Sequence, residues 1–287
     1  YGKVELRLPE LMYPEGHPYH HPVIGSHADL EAATVDDVKA FFAQNYDPAN
    51  ASLVVAGDFA PAAAKAQIER LFGALPSRGA PKDPGAPGFS DEKTTLGSVV
   101  RETIPDDVEL EKLVIAWQSP KHLTKADAEL DLVSTALATG KASRLYKSLV
   151  YEQKIAQAVE ASQQSGYLGS QFVIGVLARP GVSLDKIEAA VEKELDALRK
   201  APLSDDELTR AKNLVETGFV VRLESLQQRA GLLNMYQAEA KDPGWAQKDL
   251  DRYRGATKES IRDTVNKVML PNARVILRVV PKKGGAK

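Results

Sequence analysis

The chain has 287 residues, of which 43% are hydrophobic and 26% charged, a composition typical of a globular protein with a substantial core. Its 37 basic and 39 acidic residues leave a net charge of −2, which gives no attraction to nucleic acid or to an anionic membrane. The lack of cysteine excludes disulfides, thiolate metal sites and cysteine nucleophiles. The apolar runs are all too short for a membrane-spanning helix.

A histidine cluster lies near the start of the chain, in the stretch GHPYHHPVIG. His17 and His21 have the spacing of the outer histidines in the zinc motif H-x-x-E-H, but His20 stands where the motif has its acid. That motif requires a helix, and Pro18 and Pro22 push their preceding residues out of helical geometry. We therefore predict a surface loop here and assign no metal ligand and no catalytic residue to the chain.

The next elements alternate between helix and strand. Thr34 begins a helix as its N-cap, with Asp37 at the capping-box position. The stretch ASLVVAG (51–57) reads as a buried strand, and Pro61 opens a second helix. The region from Pro76 is rich in proline and glycine, which predicts a linker between domains.

The remainder of the chain is predicted as one complete α+β unit. Strands are expected at 98–104 and 112–118, and a hairpin at 155–178 turns around two glycines. Capping residues predict further helices, including a long one from Ser204 to about residue 240 with Glu207 completing its capping box. A helix over 258–269 and the strand ARVILRVV complete the unit.

One pattern occurs twice. The segment ATVDDVKAFFAQNYDPANASLVV, which begins at Ala33, is similar to ATKESIRDTVNKVMLPNARVIL, which begins at Ala256. The first copy lacks the long stretch that precedes the second, and Tyr1 is not a methionine, so we predict that the chain is a fragment. The corresponding residues are Thr34 and Thr257, Val38 and Ile261, Pro48 and Pro271, and, after one deletion, Ala51 and Ala273.

Three stretches, residues 11–59, 137–164 and 202–220, resemble the pitrilysin/insulinase-like family of inverzincin metallopeptidases. The resemblance implies duplicated units, each an antiparallel sheet packed by helices, that face each other around a peptide-holding chamber. It divides the chain into the last part of a first unit (1–75), a linker (76–97) and a complete second unit (98–281). It also implies zinc in the parent protein, bound by an H-x-x-E-H motif that this sequence does not contain.

The resemblance also indicates candidate substrate-cavity residues. Many relatives carry an arginine and a tyrosine seven residues apart, and these positions correspond to Val150 and Gln157. Valine has no donor and glutamine lacks the phenol, so the same substrate contacts are not expected. Arg144, in the stretch SRLY, is interpreted as a structural residue at a helix end.

Three functions remain open at this point. In the first, the chain is the non-catalytic portion of a zinc endopeptidase that acts on peptides or small proteins, and it is inactive alone. In the second, it is a naturally non-catalytic relative that binds peptides or supports a companion subunit. In the third, it is a purely structural subunit of an assembly. Self-association through the incomplete first unit is expected, because its strand 51–57 would lack neighbouring strands. The resemblance implies a periplasmic or secreted location. The location rests on the resemblance alone, since no signal peptide is visible in the sequence.

Overall fold

The computed structural model describes residues 1–79 and 96–282. Contacts divide the chain into two compact units. We call the first the sheet unit; it comprises Tyr1–Val23, Ala86–Glu216 and Asp249–Lys287. We call the second the helical unit; it comprises Ile24–Gly85 and Thr217–Lys248.

A mixed five-stranded sheet forms the centre of the sheet unit, with the order β1-β5-β2-β4-β3 in the described residues. The pair β1 and β5 is parallel, and the other neighbours are antiparallel. Alternation in β2 sends Leu113, Ile115 and Trp117 to one core and Val114 and Ala116 to another, on the opposite face. The strands are β1 (Val100–Asp106), β2 (Lys112–Ser119), β3 (Ala156–Gln164), β4 (Ser170–Ala178) and β5 (Val275–Pro281).

Helices cover both faces of this sheet. Three of them pack over the larger core: α5 (Lys125–Ala138), α6 (Leu184–Lys200) and α10 (Lys258–Val268). On the other face, α1 (Gly2–Met12) contacts β1, β5 and β2 and buries Val4, Leu8 and Met12. A π-helix, Tyr146–Glu152, leads into β3, and α9 (Ala246–Arg254) precedes α10.

The helical unit carries much apolar surface. Leu53 is 63% exposed, and Phe41 and Phe42 are also exposed. Along the chain lie α2 (His27–Ala32), α3 (Val35–Asn45), a 3₁₀ turn (Pro48–Asn50), α4 (Pro61–Phe72), the end of α7 (Asp205–Glu224) and α8 (Leu226–Ala240). In the described part of the chain, no helix is long and apolar enough to cross a membrane.

Two of the predicted elements differ from the structure. Residues 51–57 form no strand, because no described segment pairs with them. The long helix predicted from Ser204 is divided, since Ser225 caps a new helix by accepting a hydrogen bond from the N–H of Gln228. Most of the predicted linker lies outside the described residues.

Candidate functional site

The structure places Val150 and Gln157 on adjacent elements. Val150 belongs to the π-helix and is half-buried against the larger core. Gln157 is exposed near the start of β3. Their assignment to a substrate cavity remains a prediction, although both lie in a segment whose backbone is unusual.

Residues 146–158, which we call the π–bulge segment, combine three backbone irregularities. The π-helix closes with the Gln153 N–H donating to the Ser148 carbonyl oxygen (3.0 Å). Lys154 then has φ of 53°, in the left-handed region. The register of β3 against β4 shifts between Ala156 and Ala158, which makes Gln157 a bulged residue. π-Turns and β-bulges occur often at functional sites, where a bulge re-aims a side chain.

Beside this segment, one sheet face is left partly open. Alternation along β3 sends Ala158, Glu160, Ser162 and Gln164 to the face that α1 covers over β1, β5 and β2. All of these except Ser162 are exposed, and Ser162 is half-buried. We call this part of the sheet the open face; its other members lie on β4 and are Gln171, Val173, Gly175 and Leu177.

An ion pair crosses the open face. Lys112 Nζ on β2 lies 2.6 Å from Glu160 Oε1 on β3, so the glutamate side chain extends over Gly175 on the intervening strand. A Cβ at Gly175 would collide with this carboxylate. The glycine therefore supplies the space that the cross-strand pair requires.

A buried polar network holds the far end of β3. The Gln163 side chain accepts from Ser119 Oγ (2.9 Å) and donates to Asp127 Oδ1 (3.0 Å). Ser165 Oγ donates to the same carboxylate oxygen (2.6 Å), and Arg252 pairs with Oδ2 (3.1 Å). Asp127 is fully buried and lies in the first turn of α5. The network thus fixes the end of β3 against this helix.

Asp131 lies one turn further along α5 and accepts a hydrogen bond from the Tyr253 hydroxyl (2.7 Å). Burial raises the pKa of Asp131 to about 6, although the tyrosine hydrogen bond opposes this rise. The Asp131 carboxyl group is therefore buried beside the polar network around Asp127 and does not face the open face.

Arg144 has a structural role. Its guanidinium donates to both carboxylate oxygens of Glu207 (2.6 and 2.8 Å), at the first turn of α7. The Arg144 hydrogen bond holds the pKa of Glu207 at about 2. Glu207 also accepts from the Ser204 N–H (2.8 Å), which forms the predicted capping box. The arginine thus fixes the start of the π–bulge segment to a helix.

The histidine loop is packed more tightly than the sequence suggested. His17 is 1% exposed and stacks on Tyr13 with ring centroids 4.6 Å apart. Its Nδ1 accepts from the Tyr19 N–H (2.9 Å), and burial lowers its pKa. His20 Nδ1 lies 2.8 Å from the Tyr13 carbonyl oxygen. The expectation of a surface loop was wrong for His17, because its ring packs against other aromatic rings.

These residues do not fit a zinc site. Within residues 1–79 and 96–282, no three His, Cys, Asp or Glu side chains are grouped so that they could hold a metal ion. The Nδ1 atoms of His17 and His20 instead take part in local contacts with the backbone.

A surface groove of about 490 Å³ lies where α6 faces β1 and β5. Arg101 and Arg278 both pair with Glu188, at 2.6 and 2.7 Å. Arg274 pairs with Glu192 in the same groove. Since the charges neutralise each other across the helix–sheet contact, we interpret this groove as structural.

Comparison with known sequences decides the family. A sequence profile described as the peptidase M16 inactive domain matches residues 32–215. The chain belongs to the peptidase M16 family. This M16 chain is 27% identical over 220 residues to the zinc protease PqqE of Helicobacter pylori. The aligned region covers 77% of this chain and 49% of the relative. It therefore spans about half the length of that relative.

Solved structures share the fold of this M16 chain. A protease from Helicobacter pylori has a TM-score of 0.82 at 22% identity, over 96% of this chain and 70% of that one. The periplasmic protease PqqL from Escherichia coli has a TM-score of 0.67 at 19% identity, over 98% of this chain and 30% of that one. The predicted α+β fold and the resemblance to zinc metallopeptidases are thereby confirmed.

Proposed function

We propose that this chain is the non-catalytic portion of a zinc-dependent endopeptidase that cleaves peptides in a chamber between two homologous units. The observation that carries the proposal is the match of residues 32–215 to the inactive domain of a peptidase family. The open face and the π–bulge segment, with Val150 and Gln157, are the part of the chain that we assign to the peptide chamber.

In this proposal, zinc is bound by polypeptide that the sequence does not contain. Two facts support this division: the sequence lacks H-x-x-E-H, and a relative of which the match covers only 49% is named a zinc protease. A zinc ion in such a site would activate a water molecule for attack on a peptide bond. The present chain would contribute to binding and orienting the peptide.

The domain division belongs to the same proposal. Residues 1–75 would complete a first unit, 76–97 would link the units, and 98–281 would form the second unit. The exposed apolar side chains of 24–79 support this, since large apolar surfaces on a globular protein usually meet another surface. Residues Tyr1–Val23 belong to the sheet unit by their contacts, whereas the proposed boundary at 75 is drawn from sequence correspondence.

The test is reconstitution of activity. An M16 segment with an intact H-x-x-E-H motif would be fused before Tyr1, and cleavage of a quenched fluorescent peptide would be measured. We expect zinc-dependent cleavage by the fusion, loss of cleavage with a chelator, and no cleavage by the 287-residue chain alone. A fusion with glutamine in place of the motif glutamate is the matched control. Zinc-dependent cleavage by the chain alone would refute the proposal.

A second candidate is a naturally non-catalytic member that binds peptides or supports a companion subunit. The description of the matching profile as an inactive domain favours it. The parent gene distinguishes the two: an upstream segment without H-x-x-E-H supports the companion role. Copurification from the native host would then identify the active partner.

We also propose a periplasmic or secreted location. The support is one structural neighbour named as a periplasmic protease. Fractionation of the native host, with detection by an antibody against this chain, tests it. Recovery of the protein with the cytosolic fraction would refute the proposed location.

A further inference from the structure

Helix α9 is held against α5 by a buried group of charged side chains. Arg252 lies at the centre of this group, with a side chain that is only 10% exposed. Its guanidinium pairs with Asp127 on α5 (3.1 Å) and with Asp249 on α9, and it also donates to the Thr124 carbonyl oxygen (2.6 Å). These bonds attach α9 to the start of α5.

Asp131 belongs to the same helix contact but has no cation as a partner. It follows Asp127 by four residues, so the two carboxylates share one side of α5. Its carboxylate accepts a hydrogen bond from the Tyr253 hydroxyl on α9 (2.7 Å). Among the residues that the structure describes, no basic side chain forms an ion pair with Asp131, because the nearby Arg252 pairs with Asp127 and Asp249.

The contact therefore holds more negative than positive charge. Three carboxyl groups, those of Asp127, Asp131 and Asp249, lie around a single guanidinium. A buried carboxylate without a cation is costly, so such a cluster lowers its free energy by binding a proton. Asp131 is the group that takes the proton, because the other two pair directly with Arg252. Burial accordingly raises the pKa of Asp131 to about 6.

The other groups near Asp131 do not supply the missing positive charge. Burial and the adjacent Asp131 raise the pKa of Tyr253, so its hydroxyl keeps its proton. His122, in the loop before α5, acts against the raised pKa of Asp131, since its positive form favours the carboxylate. In the described part of the chain, the end of β3 and the turn after it contribute the neutral side chains of Gln163 and Ser165.

We propose that Asp131 is a proton-binding site that makes the docking of α9 on α5 dependent on pH. With the proton bound, the carboxyl group and the Tyr253 hydroxyl form a neutral hydrogen-bonded pair between the two helices. Without the proton, a negative charge that lacks a partner cation lies next to Asp127, and the two carboxylates repel each other. The inference goes beyond the proposed function and does not depend on which candidate function is correct.

Mild acid should therefore strengthen the contact between α5 and α9. The contribution of the bound proton is fully present below the pKa of an unfolded aspartate, about 3.9, and is lost as pH rises through the folded value of about 6. A difference of about two pKa units corresponds to a factor of up to about one hundred in the equilibrium between docked and undocked α9. Most of this factor is lost before neutral pH is reached.

The first test titrates Asp131 in the unmodified chain. Selective ¹³C labelling of aspartate makes the carboxyl carbons visible by NMR, and the signal of Asp131 is assigned by its loss in Asp131→Asn. We expect a titration midpoint near pH 6. A midpoint at the ordinary aspartate value of about 3.9 would overturn the proposal.

The second test measures how firmly α9 is docked. Amide exchange of residues 246–254 is followed by mass spectrometry at about pH 5 and about pH 7.5, on either side of the expected midpoint, and the rates are corrected for the intrinsic pH dependence of exchange. We expect the corrected exchange to be about tenfold slower at the lower pH. Equal corrected rates at the two pH values would show that proton binding is not linked to docking, which would refute the inference.

Two variants assign the effect to this contact. Asp131→Asn keeps the shape of the side chain but has no proton to lose, so α9 should exchange equally slowly at both pH values. Asp251→Asn is the matched control, because it removes a negative charge from α9 itself at a side chain that is 60% exposed. The control should retain the full pH dependence. If the dependence persists in Asp131→Asn, another group is responsible and the proposal fails.

Tyr253→Phe gives a result that a purely structural role would not produce. The tyrosine hydroxyl favours the carboxylate by donating to it, so its removal should move the midpoint of Asp131 to a still higher pH. A simple loss of packing would expose the carboxyl group instead and move the midpoint down towards about 3.9. An unchanged or lowered midpoint in this variant would contradict the assignment of the proton to the pair of Asp131 and Tyr253.

Discussion

The two copies of the repeated pattern have the same helix cap but differ in how deeply the helix and the residues after it are buried. In α3, the Asp37 N–H donates to Thr34 Oγ1 and the Thr34 N–H donates to the Asp37 carboxylate. In α10, Thr257 and Ser260 form the same reciprocal cap, at 3.0 and 3.1 Å. Yet α10 buries Ile261 and Val265 completely, while α3 buries none of its residues.

The strand that should follow each helix shows the larger difference. β5 lies between β1 and β2, and its Leu277 is fully buried. The corresponding residues 51–57 pair with no described strand, and Val55 is 47% exposed. A helix and its cap depend on residues within one turn, whereas a strand depends on partners distant in sequence. Equal sequence patterns therefore give equal helices but unequal strands.

The largest expected contrast is between matched truncations. Leu277→Ala should destabilise the sheet unit by about 3 kcal/mol, because it leaves a cavity in a packed core. Val55→Ala should change stability by less than about 0.5 kcal/mol, since the side chain is half exposed. Urea unfolding, followed by Trp117 fluorescence in a Trp245→Phe background, measures both. Equal losses would mean that residues 51–57 are as well packed as β5.

Residues 51–57, in the first copy of the pattern, should also mediate self-association. An exposed apolar segment that pairs with no strand of its own chain can pair with another chain. Leu53→Lys should therefore weaken self-association by about tenfold, or about 1.4 kcal/mol. Sedimentation velocity over a concentration series is the measurement, and Gln44→Lys, which adds the same charge to the polar side of α3, is the control. A chain that is monomeric at every concentration would contradict this prediction.

The caps allow a finer comparison. Thr257→Ala should lower the free energy of unfolding of the sheet unit by about 1 kcal/mol, a usual loss for a removed N-cap. Thr34→Ala removes an equivalent cap but should change only the local order of α3, because that helix packs little apolar surface. Urea unfolding together with amide exchange in both helices separates the two outcomes. A global loss from Thr34→Ala would show tertiary support for α3.

The smallest expected effect depends on pH. The Thr34 hydroxyl lowers the pKa of Asp37 in the folded helix, whereas Ser260 in the second cap does not titrate. The contribution of Asp37 is therefore present above its unfolded pKa of about 3.9 and is lost as pH falls through the lowered folded value. The first turn of α3 should fray in acid while that of α10 stays ordered. Amide shifts recorded from neutral to acidic pH test this, and Asp37→Ser should remove the dependence.

Much of the fold follows from local sequence signals. The caps at Thr34 and Ser204 were predicted because each depends on a side chain three residues from its partner. Strand β2 was predicted because a continuous apolar run indicates burial on both faces. The break at Ser225 was missed although a serine N-cap was visible, since the helical pattern continues through it.

The site was less predictable. The alignment indicated Val150 and Gln157, but the bulge at Gln157 results from the register between two strands, which no single strand encodes. The same is true of the edge position of β3, because a strand becomes an edge through the order of the whole sheet. The burial of His17 was missed because stacking on Tyr13 depends on how the loop folds back. The spacing of residues along the sequence does not predict such contacts, because they depend on the tertiary fold.

The crossing of Gly175 by the Glu160 side chain has an evolutionary consequence. A Cβ at 175 requires the exposed Glu160 side chain to turn away from Lys112, so a change at one position alters the interactions of the other. The two positions should therefore vary together among related sequences, with the ion pair accompanied by glycine at 175. A lineage that acquires alanine at 175 gives up the ion pair, and the glutamate at 160 then has little reason to be retained.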